Sequence, residues 1–116
     1  MSWKIDNQIT RSKIKKYTKR YPEDTASVLG NLGKVKKYLD SGISFEQTVQ
    51  RYPFLRSEKG HVFRIGNAKR TNAHETRLYI CIEKGQQVIY LLELGDKNGQ
   101  QEDIKTSHNK ANRILA

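Results

Sequence analysis

Three side chains in the second half of the chain have the types and spacing that phosphodiester chemistry asks for. Arg64 stands in the alternating run "HVFRI", Arg77 opens "TRLYICIE", and His108 lies in the polar stretch "KTSHNKANRIL". Arg64 alternates against Phe63 and Ile65, while Arg77, Tyr79 and Cys81 alternate against Leu78, Ile80 and Ile82. If the two runs are antiparallel neighbours, both arginines project from one polar face, where a guanidinium meets two phosphate oxygens at once. An imidazole adds a proton donor or acceptor that works near neutral pH. Such a set suits cleavage of RNA without a metal, because the 2′-hydroxyl is an internal nucleophile. The protein then has to position the phosphate, stabilise its developing charge and move protons. The plainer reading is a solvated sheet face whose arginines pair with Glu75 and Glu93, with His108 a structural residue on the shoulder of a helix.

Other chemistry finds little support. The chain has no glycine-rich phosphate loop, no HExxH and no paired-cysteine motif. His61, His74 and His108 are not spaced as a local metal cluster, and the acidic residues are scattered. No metal and no cofactor are therefore expected. Cys81 is the single cysteine, which rules out an intramolecular disulfide and suits a reducing cytoplasm. The start "MSWKIDNQIT" lacks the apolar stretch of a signal peptide, and no run approaches the roughly 20 apolar residues of a membrane span. A cytoplasmic protein without membrane association is expected.

Charge narrows the class of partner. Twenty-two Lys and Arg against twelve Asp and Glu leave a net +10, a field that steers a small protein towards polyanions. The densest basic run, "RSKIKKYTKRY", also carries Ile14, Tyr17 and Tyr21 at the spacing of an amphipathic helix. Its Lys13, Lys15, Lys16, Lys19 and Arg20 thus form a solvated face suited to nucleic-acid phosphates. Lys59 and His61, entering the first core strand, and Lys97 and Lys105, flanking the start of the last helix, read either as RNA contacts or as ordinary surface cations. Tyr79 reads either as a base-stacking ring or as a cover for the sheet.

These residues need elements to hold them. "SWKIDNQI" reads as a short strand with Trp3, Ile5 and Asn7 on one face. The basic helix follows and stops before Pro22. In "EDTASVLGNLGKVKKYLDSG", Val28, Leu29, Leu32, Val35 and Leu39 form an apolar stripe, Gly42 caps the end, and Gly30 and Gly33 suggest close packing. Ser44 and Gln47 fit a capping box for a short helix ending before Pro53. Then come the strands "HVFRIGN" and "TRLYICIE", the turn "KGQQ", the nearly continuous strand "VIYLLEL", and the loop opened by the Gly95-Asp96-Lys97 turn. A terminal helix places Ile104, Ala111, Ile114 and Leu115 inward. The order β, α, α, short α, β, β, β, α predicts one α+β domain over residues 1–116, with helices segregated from a mostly antiparallel sheet.

The stretch from His61 to Leu115 resembles the RelE/HigB-like toxins of bacterial type II toxin–antitoxin systems. The likeness rests on "VFRI", on "TRLYICIEKGQQVIYLLELGDKNGQ" and on a last helix ending "NKANRIL". It covers about half the chain by motif, and the first half by element order alone. It implies a small RelE-like domain, with N-terminal helices packed on one face of a twisted sheet and a C-terminal helix. It further implies a toxin that cleaves mRNA on the ribosome without a metal, and a cognate antitoxin as partner. Arg64 then matches the basic residue of the first core strand, Arg77 the arginine of the Arg-aromatic strand, and Lys97 the basic turn. His108 falls within a residue of the place where a tyrosine or histidine is usual, with Ser107 as the alternative. Two other functions stay open on the same scaffold: a ParE-like inhibitor of gyrase, and a basic RNA-binding domain without catalysis.

Overall fold

The computed structural model describes residues 2–68 and 74–116. Its elements are β1 (Lys4–Asn7), α1 (Arg11–Arg20), α2 (Pro22–Asp40), α3 (Phe45–Arg51), β2 (Leu55–Ser57), β3 (Phe63–Gly66), β4 (Thr76–Glu83), β5 (Val88–Asp96) and α4 (Gln100–Ile114). The strands form one sheet in the order β1-β5-β4-β3-β2. Only the β1–β5 pairing is parallel; the other three are antiparallel. The α+β class and the mostly antiparallel sheet match expectation.

Both faces of the sheet are covered, which is why β5 reads as nearly continuous apolar sequence. On one face Leu55, Ile65, Leu78, Ile80, Ile89, Leu91 and Leu94 pack against Tyr17, Val28, Leu32, Val35, Leu39 and Phe45 of α1, α2 and α3. On the other, Val62, Tyr79, Cys81 and Leu92 pack under Ala111 of α4, with Ile104, Ile114 and Leu115 around them. The second core is smaller, so polar groups can border it.

Local signals explain the element ends. Thr10 caps α1 by accepting from the Lys13 amide, and Ser44 and Gln47 form the reciprocal capping box of α3. Gly42, with φ +88°, follows the end of α2 in a left-handed conformation that glycine adopts without a Cβ penalty. A β-bulge between Tyr79/Ile80 on β4 and the facing part of β5 turns both Leu92 and Glu93 towards the α4 face. Lys110 Nζ donates to the Leu92 carbonyl at this irregularity, 2.8 Å away.

Several expectations need correction. Strand β2 has three residues, too few to show a period of two, and the sequence did not signal it. Ile5 is exposed while Trp3 and Ile9 are buried, because β1 is an edge strand and the residues on either side of it reach the core. Leu29 is exposed, and a Cβ at Gly30 or Gly33 would meet nothing within 4 Å, so these glycines mark no close packing. The expected Gly95-Asp96-Lys97 turn starts later, since β5 runs through Asp96.

Candidate functional site

The register of the sheet sets Arg56, Arg64, Tyr79 and Glu93 in one row across β2, β3, β4 and β5. Paired residues share a face, so all four belong to the α4 side. Arg77 stands two residues from Tyr79 on the same face and pairs with Gly66 on one neighbour and Gly95 on the other. Gly66 brings no side chain to the β3 flank of Arg77, while the space over Gly95 on the β5 flank is taken by Asp103. The Arg77 side chain is only 12% exposed, and Nη2 reaches Glu75 Oε2 at 3.5 Å. Nη1 and the Tyr79 hydroxyl are both buried with no well-aligned hydrogen-bond partner among the described residues, although the guanidinium lies close enough to the hydroxyl to act on it as a donor. Burial raises the Tyr79 pKa; the Arg77 guanidinium pulls the other way without cancelling that effect.

Arg64 points its Nε at Glu58 Oε1, 3.1 Å away, in a pair that is mostly shielded from solvent. The carbonyl of that same Glu58 lies 3.1 Å from His108 Nε2. A carbonyl only accepts, so Nε2 carries the proton and the lone pair of the neutral ring lies on Nδ1. Gly60 faces this ring: a Cβ there would sit 3.3 Å from His108 Cε1 and 3.5 Å from Nδ1. The helix phase that was open in the sequence is thereby fixed. His108 borders the β2–β3 turn, whereas Ser107 is fully buried and its hydroxyl donates to the Asp103 carbonyl at 2.7 Å.

A second charged set lies at the β5 end of the row. Lys13 Nζ stands 3.1 Å from both Glu93 Oε1 and Asp103 Oδ1, joining α1, β5 and α4. Asp103 occupies the space above Gly95, where a Cβ would fall 1.9 Å from Oδ2. Burial disfavours the Lys13 ammonium, but its two carboxylate partners outweigh that and leave its pKa raised. The Asp103 pKa is raised too, because burial outweighs the help of Lys13 and Glu93 adds repulsion. One ammonium shared by two carboxylates leaves the cluster short of positive charge, so both shifts follow from one arrangement.

The fold therefore brings Arg64, Arg77, Tyr79 and His108 to one face, with exposed Lys59 and His61 at its β2–β3 rim. Lys105 is exposed on α4, one turn before His108, while Lys97 is exposed in the loop after β5. Lys15, Lys16, Lys19 and Arg20 are exposed on α1. That helix packs on α2 and β5, and its Tyr17 joins the core on the sheet face opposite the arginine pair. Lys13 is withdrawn from that basic surface by its carboxylates. Tyr79 is fully buried, and its ring has no free face for a base. Of the pairings offered as the plainer reading, Arg77 with Glu75 is present, whereas Glu93 takes Lys13 and Arg64 takes Glu58.

Sequence reasoning missed Arg56 and Glu58. Arg56 becomes visible only through the β2–β3 register, and Glu58 only through its contacts with Arg64 and His108. His74, by contrast, lies at the α1–α2 corner, stacked on Tyr21 at 3.6 Å with Nε2 3.1 Å from Asp96. Burial disfavours the Asp96 carboxylate, but donors from His74, Gly99, Asn98 and Tyr17 prevail and lower its pKa. Among the described residues, no group of three or more His, Cys, Asp or Glu converges as a metal site, and no helix is long and apolar enough to cross a membrane.

No protein-family model matches the chain, and no curated protein matches it by sequence. Among solved structures it is similar to an arginine-to-alanine double mutant of the E. coli toxin RelE in the free state. The match has a TM-score of 0.58 at 12% identity and covers 96% of this chain and 98% of that one. With four helices, a five-stranded mixed sheet and this likeness over nearly its whole length, the chain has the RelE-like fold.

Proposed function

We propose that this protein is a RelE-like toxin that inhibits translation by cleaving mRNA on the ribosome, held in check by a cognate antitoxin in the cytoplasm. The observation that carries the reading is Arg77, set beside Gly66, whose buried Nη1 meets no well-aligned acceptor and lies next to the Tyr79 hydroxyl. Buried donors without acceptors are costly, and a phosphate oxygen entering from the β2–β3 rim is the acceptor they suit. Arg64, one strand over, would take a second oxygen. The 2′-oxygen would attack phosphorus as the 5′-oxygen leaves, giving a 2′,3′-cyclic phosphate. His108 Nδ1, facing the rim, would exchange a proton with one of these oxygens. The exposed cations of α1 would hold ribosomal RNA by its phosphates. RelE-like architecture over nearly the full chain supports the toxin class, and the net +10 supports the polyanionic partner.

The test is primer-extension mapping of a reporter mRNA mixed with translating ribosomes, wild type beside Arg77→Ala. Codon-phased cuts that require the ribosome are expected. The variant should cut about 100-fold more slowly or worse, the usual cost of losing one donor to a developing anion. Intact mRNA with normal elongation would remove the nuclease reading and turn attention to gyrase or to plain RNA binding on the same surface.

A further inference from the structure

We infer that the β2–β3 turn is a self-blocking latch, in which Glu58 occupies the seat of an RNA phosphate at Arg64. The inference rests on the RNA-directed reading above and concerns regulation of the same face. One residue makes both closing contacts: its carboxylate takes Arg64 Nε at 3.1 Å, and its carbonyl takes His108 Nε2 at 3.1 Å. An occupied Arg64 and an engaged His108 thus depend on one backbone position. Apart from the contacts to Arg64 and His108, the turn is held by short-range bonds: Glu58 N donates to Val62 O at 2.8 Å, Val62 N to Lys59 O at 3.3 Å and Lys59 N to Ser57 Oγ at 3.1 Å. It contains two consecutive residues with positive φ, Lys59 at +68° and Gly60 at +56°. The first of these is a lysine, which adopts that region only at a cost. Lys59, Gly60 and His61 are all exposed, so the turn can swing outwards without uncovering a core.

Exchange of the partner is chemically plausible because a carboxylate and a phosphodiester each bring one negative charge to the same guanidinium. Glu58 meets the guanidinium through Nε, whereas a phosphate can take two guanidinium N–H groups side by side. RNA would therefore displace Glu58 from Arg64 and, through the same residue, release His108. In the free protein the latch keeps both groups unavailable, and it lowers RNA affinity both by competition and by like-charge repulsion once opened.

The experiment measures binding of a short single-stranded RNA made uncleavable by 2′-O-methylation to wild type, Glu58→Gln, Arg64→Gln and the double variant. Glutamine keeps an acceptor for Arg64 Nε and removes the charge, so folding, checked by circular dichroism, should survive. Glu58→Gln is expected to bind about threefold to tenfold tighter, the worth of a partly buried ion pair. That gain should disappear in the Arg64→Gln background, and the His108 ring resonances of wild type should shift on RNA binding. If wild type binds RNA and Glu58→Gln binds no tighter, the latch is wrong while the RNA reading stands. A gain that persists without Arg64 reflects net charge alone and also overturns it. If neither protein binds RNA, the RNA reading fails and the latch fails with it. Should glutamine unfold the protein, Glu58→Asp gives the same comparison, because the shorter carboxylate cannot reach Arg64 as closely and should still tighten binding.

Discussion

Lys13, Glu93 and Asp103 meet at the β5 side of the α4-covered face; Glu58, Arg64 and His108 meet at its β2–β3 side. Both sets join cations to carboxylates in shielded positions, and both tie α4 to another part of the fold. In the first, two carboxylates share one ammonium beneath the start of α4, and Asp103 fills the space over Gly95. In the second, the Arg64 guanidinium meets the Glu58 carboxylate, the His108 ring meets the carbonyl of the same residue, and the surrounding turn is exposed. The first set is a clasp, whose opening would strand buried charge. The second is a rim, whose opening exposes Arg64 to a solvent-borne anion. Composition counts the same +10 in either case, and exposure barely separates the two cations, Lys13 at 29% and Arg64 at 20%. What separates structural from available charge is that two carboxylates from two elements hold Lys13, while one carboxylate on an exposed turn holds Arg64.

Removing Lys13 tests the clasp with the largest expected stability effect. Lys13→Met leaves two nearly buried carboxylates facing each other without their cation. A loss of about 2 to 3 kcal/mol is expected at pH 7, below the full value for a buried pair because Lys13 is partly exposed. The pH dependence has a definite sign. The Asp103 pKa is raised in the folded protein, so the folded state binds more protons than the unfolded one between the two pKa values, and stability falls as pH rises through that window. Without Lys13 the window widens upwards. Urea unfolding of the variant at pH 7 and near pH 4.5 should show much of the loss recovered in acid. A deficit equal at both pH values would mean that the lysine stem, and not its charge, holds the clasp.

Gly95→Ala probes the same clasp from below. The added Cβ would fall 1.9 Å from Asp103 Oδ2, so the carboxylate or the start of α4 must shift. Overpacking of this kind costs about 1 to 3 kcal/mol, read as a lower denaturation midpoint with unchanged slope. If the clasp and the rim are separate, the variant's affinity for uncleavable RNA stays at the wild-type value. A large loss of affinity would couple the two through α4 and break the distinction.

How much of this was legible in the sequence follows from the range of each interaction. The β4–β5 hairpin, the Ser44–Gln47 capping box, the Gly42 cap and the inward stripe of α4 depend on residues a few positions apart, and all were read from the sequence. The two arginines on one face were also foreseen, since alternation along two strands settles it. Arg56 was not, because its place beside Arg64 depends on a three-residue strand with no period to detect. Neither was Glu58, whose importance comes from a helix 50 residues further on. Lys13 looked like its neighbours because nothing local marks the carboxylates 80 and 90 residues away. Leu29, Gly30 and Gly33 misled for the opposite reason: a helical stripe predicts which residues share a face, but not how wide a strip the sheet covers.

The smallest effect makes the sharpest comparison, because it lies within one helix. Lys15 and Lys19 are exposed on α1, and Lys13, two residues before the first of them, is held by Glu93 and Asp103. If α1 grips RNA by phosphates, Lys15→Ala and Lys19→Ala should each weaken binding slightly and without sequence preference. Each should also reduce the slope of log affinity against log salt by about 0.7, the counterion released per contact on a single strand. Lys13→Met should leave that slope unchanged, since its ammonium already has anionic partners and holds no phosphate. Measured on folded protein at several salt concentrations, a slope that falls as much for Lys13 as for its neighbours would mean that RNA opens the clasp. The two charged sets would then act alike, each trading a carboxylate for a phosphate.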